Sequence, residues 1–421
     1  MSARHSKIKS LKAREILDSR GNPTVEVDLL TDKGIFTSSV PSGASVGKYE
    51  AVELRDEGER YRGKGVLTAV SNINKIIAPK LKGKDSADQK EIDDFLIRLD
   101  GTENKSRLGA NAILAVSMVC CRAGASSEDI SLYKHIRQIS GIKSKAYNLP
   151  SASFNVINGG AHAGNDLDFQ EFMIAPQTKT FSGSFQMAAE IYQELKIIIK
   201  RRYSAAAINL GDEGGFAPPV SLPEVALGLI LKAAEKINYE SKIKIIIDAA
   251  ASQFFAGGRY KTRFGIFAAE DLSDYYLGLI KRYPIVAIED PFAENDWDAW
   301  KIFQSESQKV NTGSLIIGDD LLATNAGRIK EAQGKNACNA TIIKLNQIGT
   351  VTEAMEATEL AKSFGWKIMV SHRSGETNDD FIADFAVGIE ADYIKAGAPA
   401  RGERVAKYNR LLKIEELCSG R

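Results

Sequence analysis

Cysteine and histidine are both scarce, four of each among 421 residues. Cys120, Cys121, Cys338 and Cys418 form no C-x-x-C and no zinc-like spacing. That excludes a sulfur-rich metal centre and a disulfide framework, and points to free thiols in a reducing cytoplasm. With so few imidazoles, any metal site is to be sought among oxygen ligands. An excess of one charge is also missing, with 55 Lys and Arg against 54 Asp and Glu. Neither nucleic acid nor an anionic membrane is therefore expected as the main partner. Apolar runs such as 243–251 stop well short of the roughly 20 residues that cross a bilayer. The basic N-terminal stretch lacks the apolar centre of a secretory signal. What remains is an ordinary globular composition, 44% hydrophobic and 26% charged, in a chain long enough for two domains.

Two rhythms divide the chain. Up to about residue 145, "TVEVDLLTDKGIFTSSV" (24–40) alternates like a hairpin around Asp32-Lys33-Gly34. The small, glycine-rich loop "PSGASVGKYEA" (41–51) follows, and then three stretches carry apolar residues at helical spacing. Residues 1–145 thus read as a smaller α+β domain. From 146 to 421 a short apolar run repeatedly meets a polar residue and then a helix-length stretch. The markers are Asp248, Glu289, Asp319, Lys344, His372 and Lys395, at intervals of 23 to 41 residues. Two earlier runs, 168–176 and 206–215, bring the expected strand count to eight. The fold class is α/β, a C-terminal (β/α)8 TIM-like barrel whose polar residues end the strands on the face where such barrels build active sites. A doubly wound sheet would need a G-x-G-x-x-G, and none is present.

Each strand end has a plain structural reading and a chemical one. Asp248, Glu289 and Asp319 each suit a helix cap. As an ordered series they crowd three carboxylates together, and like charges so close need a cation, with hard oxygen ligands suiting Mg²⁺, Mn²⁺ or Ca²⁺. Lys344 and Lys395 suit surface positions with a buried stem. Beside a metal and another cation, such a lysine is instead lowered toward neutrality and becomes a base. Glu213 in "GDEGG", His162 in "NGGAHAGND" and Glu171 in "QEF" carry weak signals alone.

Ten motifs occur in one order along the chain: "ILDSRGNPTVEV", "PSGAS-x-G", "NGG-x-HAGN", "QEFMIAP", "GDEGGFAP", "IEDPF", "GDDL", "NQIGT", "SHRSGET" and "KAGAPARGER". Together they resemble the enolase family over nearly the full length. The resemblance implies a Mg²⁺-dependent hydro-lyase that interconverts 2-phosphoglycerate and phosphoenolpyruvate. It implies Asp248, Glu289 and Asp319 as ligands of a first Mg²⁺, and Ser45 as a ligand of a second that arrives with substrate. Lys344 is implied as the base at C2, and Glu213, assisted by Glu171, as the acid at the C3 hydroxyl. His162, His372, Arg373, Ser374 and Lys395 are implied as substrate contacts, and a cytoplasmic homodimer or octamer as the assembly.

Departures are few. Gln253 stands where the family commonly has Glu, Val46 where the lid loop often has Thr, and Asn378 where an acid is common. Two rivals use the same fold. A sugar-acid dehydratase or racemase would place its base and lid differently. A non-catalytic structural or surface-binding protein would be free to lose the base and the acids, and all of them are present.

Overall fold

The computed structural model describes residues 6–43, 47–144 and 146–419. It opens with an antiparallel sheet of β1 (Ser10–Leu17), β2 (Pro23–Thr31) and β3 (Gly34–Ser39), in that spatial order. Val25, Val27 and Leu29 point inward from β2 while Glu26, Asp28 and Leu30 point outward, the period of two seen in the sequence. The hairpin closes with Thr31 opposite Gly34, so its turn is Asp32-Lys33. The helix Ala110–Ser127 packs on this sheet. By length and composition it could cross a membrane, yet 89% of it is buried inside the protein. A helix apolar on every side belongs in a core, and here it lies between the sheet and helices of the barrel.

The barrel is closed by eight strands: β4 (Ser151–Asn158), β5 (Glu171–Pro176), β6 (Ile243–Asp248), β10 (Ile285–Glu289), β11 (Leu315–Gly318), β12 (Ala340–Ile343), β13 (Lys367–Ser371) and β14 (Tyr393–Lys395). A small sheet of β7 (Phe255–Ala256), β8 (Arg259–Thr262) and β9 (Gly265–Phe267) interrupts the series after β6. Met173, Ala175, Ile246, Ala287, Ile317, Ala340, Ile342 and Met369 fill the interior, so the barrel is a packed core rather than a pore.

The count of eight agrees with the sequence, but one member differs. Residues 206–208 form a 3-10 turn, and Leu210 makes a single bridge to Phe216, so 206–215 is not a strand. The missing strand is Ser151–Asn158. It is buried along almost its whole length, which removes the alternation that would mark it. β5 runs antiparallel to both neighbours, β4 and β6. An antiparallel neighbour needs no crossover helix, and a loop joins β4 to β5. The helices Phe181–Arg202 and Pro223–Lys236 then follow as a pair before β6.

The N-terminal helices are tied to the barrel by buried polar groups. Asp93 accepts from Gln89 Nε2 at 3.0 Å and from Thr352 N and Oγ1 at 3.0 and 2.7 Å. Asp93→Ala leaves the Thr352 amide without its acceptor, which costs about 1–3 kcal/mol. Urea unfolding should show that loss; a change within about 0.5 kcal/mol, the range of neutral surface substitutions, would mean the contact is dispensable.

Candidate active site

Strand direction decides which residues meet. Asp248, Glu289 and Lys395 are the last residues of β6, β10 and β14. Asp319, Lys344 and His372 directly follow β11, β12 and β13. Glu171 is instead the first residue of β5, and because that strand is reversed its start lies beside the others' ends. The register pairs Glu171 with Asp248 and Asp248 with Glu289. Residues far apart in sequence therefore share one cleft, whose lining carries six carboxylates against three cationic side chains.

Lys395 is the centre of the acid cluster. Its Nζ donates to both oxygens of Glu289 at 2.8 Å, and reaches Asp248 and Glu171 at 3.3 Å. Burial alone would lower its pKa, but Glu171, Glu289 and Asp248 outweigh it and hold the ammonium well above its ordinary value. Burial, and then the charge of Asp248, pushes Glu289 well above the carboxylate range. Asp248 also accepts from Ala250 N at 3.0 Å and from Gln170 Nε2 at 3.4 Å. Gln253, the neutral departure noted above, donates to Gln170 Oε1 at 2.6 Å and so touches Asp248 only through that amide.

Asp319 is turned the other way. It pairs with Lys344 and accepts from Gln347 Nε2 at 2.9 Å. The lowering expected of Lys344 depends on a metal ion beside it. Burial lowers it, but the Asp319 carboxylate prevails and holds it above its usual value. Asp290, unread in the sequence, shapes this corner: its two oxygens accept from Asp319 N at 2.9 Å and Asp320 N at 2.7 Å. Asp290 itself sits at φ +42°, a sparsely populated region for a non-glycine residue. Burial and then Asp319 push Asp320 up to about 7. The available signal was the doubling of acids in "IEDPF" and "GDD", of which only one member each was read.

Glu213 arrives on the turn of "GDEGG" rather than on a strand. Gly214 turns at φ +88°, and a Cβ at Gly211 would fall 2.6 Å from His162 O, so the backbone can crowd only with glycine there. Glu213 accepts from Asn155 Nδ2 at 3.0 Å and lies 3.5 Å from His162 Nδ1 and 3.4 Å from His372 Nε2. Burial opposes its charge, yet the two imidazoles outweigh burial and hold it well below the usual range. Burial in turn lowers both histidines, His372 to about 3. Beside Glu213, burial and then that neighbour's charge push Glu171 well above its ordinary value. The two acids are thus pushed apart, Glu171 upward and Glu213 downward. Arg404 fixes His372 from behind, with Nη1 2.6 Å from Nδ1.

Arg373 and Ser374 are buried at the same rim. Arg373 Nη1 and Nη2 meet Glu50 at 2.8 and 3.2 Å. Ser45, expected to serve a second ion, and Val46 lie outside the described residues. Asn378 is exposed ahead of the helix Phe381–Gly388.

The donor set fits a hard divalent cation. Asp290, Asp319 and Asp320 bring an oxygen each within 4.8 Å of one another, while Asp248 and Glu289 gather on Lys395. Among the described residues no thiol lines the cleft, and carboxylate oxygens suit Mg²⁺.

Comparison with known proteins agrees with this architecture. The family model described as the enolase C-terminal TIM barrel domain matches residues 146–420. That for the enolase N-terminal domain matches 8–136. "Enolase" of Mastigamoeba balamuthi is 54% identical over 425 residues, covering 98% of this chain and 96% of that protein. "Enolase 1" of Entamoeba histolytica is 52% identical over 97% of this chain and 96% of its own length. "Enolase" of Eimeria tenella is 50% identical over 98% and 96%.

Removing Lys395 leaves three carboxylates facing one another. Breaking a buried pair in this way costs about 3–5 kcal/mol. Glu171 and Glu289 already have raised folded values, so their ionisation opposes folding as pH rises above the unfolded carboxylate value. Lys395→Ala should therefore lose more stability at pH 8 than at pH 5, read by urea unfolding without divalent ions. An equal loss at both would contradict the charge account.

Proposed function

This chain belongs to the enolase family and is a lyase, the phosphopyruvate hydratase of glycolysis, and we propose which of its residues carry out each part of that reaction. Lys344 is the base that takes the C2 proton of 2-phosphoglycerate. The observation that carries this reading is its position: a partly buried amine paired with Asp319 in the cleft that Arg373 also lines. Asp248, Glu289 and Asp319 are the residues that would hold Mg²⁺, with Ser45 serving a second ion. Bound there, Mg²⁺ would stabilise the negative charge that develops on the substrate's carboxylate and take up the Asp319 charge that keeps Lys344 protonated.

Arg373 grips the phosphate with its planar fork, and Ser374 adds a polar contact. Lys395 offers its charge to the substrate's carboxylate. Glu171 and Glu213, whose oxygens come within 4.8 Å of one another and of a His162 nitrogen, share the proton that lets the C3 hydroxyl leave as water. His162 and His372 hold that pair in place as neutral imidazoles. The two units divide near residue 145, and the enzyme acts in the cytoplasm as a homo-oligomer.

Incubation with 2-phosphoglycerate and Mg²⁺ should yield phosphoenolpyruvate. In Lys344→Ala, turnover should fall at least ~100-fold, the usual contribution of a general base. Exchange of the C2 proton with deuterated solvent should stop. Exchange at the wild-type rate would remove Lys344 from the role of base.

A further inference from the structure

Arg373 faces a competition that its proposed role has to survive. It lies in a cleft with six carboxylates, and Asp319 contributes to holding its charge. A guanidinium on a flexible stem is drawn toward such acids, away from where a substrate anion would bind. Glu50 supplies the opposing pull. Its carboxylate meets Arg373 end-on, Oε2 to Nη1 at 2.8 Å and Oε1 to Nη2 at 3.2 Å. Both side chains are nearly buried, 5% exposed for Glu50 and 6% for Arg373. A two-point contact of this kind fixes the plane of the guanidinium as well as its position. Burial works against the charge of Arg373, and Glu50 is the strongest influence that overcomes it.

Glu50 is itself fixed from several sides. Its Oε1 accepts from Gly47 N at 3.0 Å, and the next residue, Ala51, donates its amide to Gln347 O at 2.8 Å. The preceding Tyr49 donates to Asn295 Oδ1 at 3.0 Å. The Arg328 guanidinium lies 4.1 Å from the Tyr49 ring and 4.5 Å from that of Trp297. Asn346 Oδ1, one residue before Gln347, accepts from Arg373 Nη1 at 3.0 Å. The segment carrying Glu50 is thus anchored to the same barrel corner that carries Lys344 and Arg373.

We propose that Glu50 is a positioning residue for the substrate's phosphate: it holds Arg373 in the orientation that receives the anion and away from the metal-binding acids. This rests on the reading of Arg373 as the phosphate grip, and the test separates the two. Initial rates with 2-phosphoglycerate, and competitive inhibition by inorganic phosphate, are measured for wild type, Glu50→Gln, Glu50→Asp and Arg373→Ala. Losing a hydrogen bond to a charged group costs roughly 10- to 100-fold. Glu50→Gln should raise KM and the phosphate inhibition constant by about that factor, with kcat changed less. Glu50→Asp should recover part of the loss.

Loss of folded protein alone would lower kcat and leave KM and the inhibition constant unmoved, and that outcome overturns the proposal. A fall in either constant in Glu50→Gln would also overturn it, because Glu50 would then be a placeholder that phosphate displaces. If Glu50→Gln does not fold, Glu50→Asp is read by the same criteria. Wild-type phosphate inhibition in Arg373→Ala would overturn the reading of Arg373 instead.

Discussion

Buried like charge at one end of the barrel is the constraint on which the rest of this structure depends. Glu171, Glu213, Asp248, Glu289, Asp290 and Asp319 are all buried, as are the Lys395 and Arg373 that face them, and Lys344 is partly buried beside them. The balance is negative, and the consequences are visible as shifted protonation. Glu171, Glu289 and Asp290 are driven well upward by burial and their neighbours. Lys395 is held fully charged among them. A site of this kind is costly in the absence of a further cation, and it attracts one. The same crowding pushes Glu171 upward and Glu213 downward in adjoining positions.

The barrel makes that crowding possible because its strands impose the arrangement. Six parallel strands after the β4–β5 turn bring their ends to one face, and the reversed β5 adds Glu171 from its beginning. Side chains at that rim belong to elements whose own cores are apolar and closely packed. The packed interior therefore carries the strain of gathering the acids. Asp290 shows the local cost, a residue at φ +42° whose carboxylate caps the two amides that present Asp319 and Asp320.

Much of this was legible in the sequence, and the exceptions have physical reasons. Asp248, Glu289, Asp319, Lys344, His372 and Lys395 were readable because parallel strand–helix units repeat and place the polar residue at a fixed end. Glu171 gave only a weak signal because its strand runs backwards, so its acid precedes the apolar run. The strand Ser151–Asn158 went unread because burial on both faces erases alternation. "AAINLGDEGG" passed for a strand because a tight glycine turn followed a short apolar stretch. Glu50, Asn155 and Arg404 were invisible because their meaning lies in partners distant in sequence, Glu50 and Arg373 being 323 residues apart. The substrate's identity came from the ordered motifs and not from periodicity.

The central claim is that the acids ending the barrel strands form a cation site before they form anything else. Calorimetric titration of Mg²⁺ into chelator-stripped protein at pH 7, in two buffers of different ionisation enthalpy, tests it most directly. The account predicts saturable Mg²⁺ uptake accompanied by proton release, since ions displace protons from carboxyls that burial has raised. It further predicts that uptake is lost in Asp248→Asn and in Asp319→Asn. Absence of saturable uptake, or the same uptake in both variants, would contradict it.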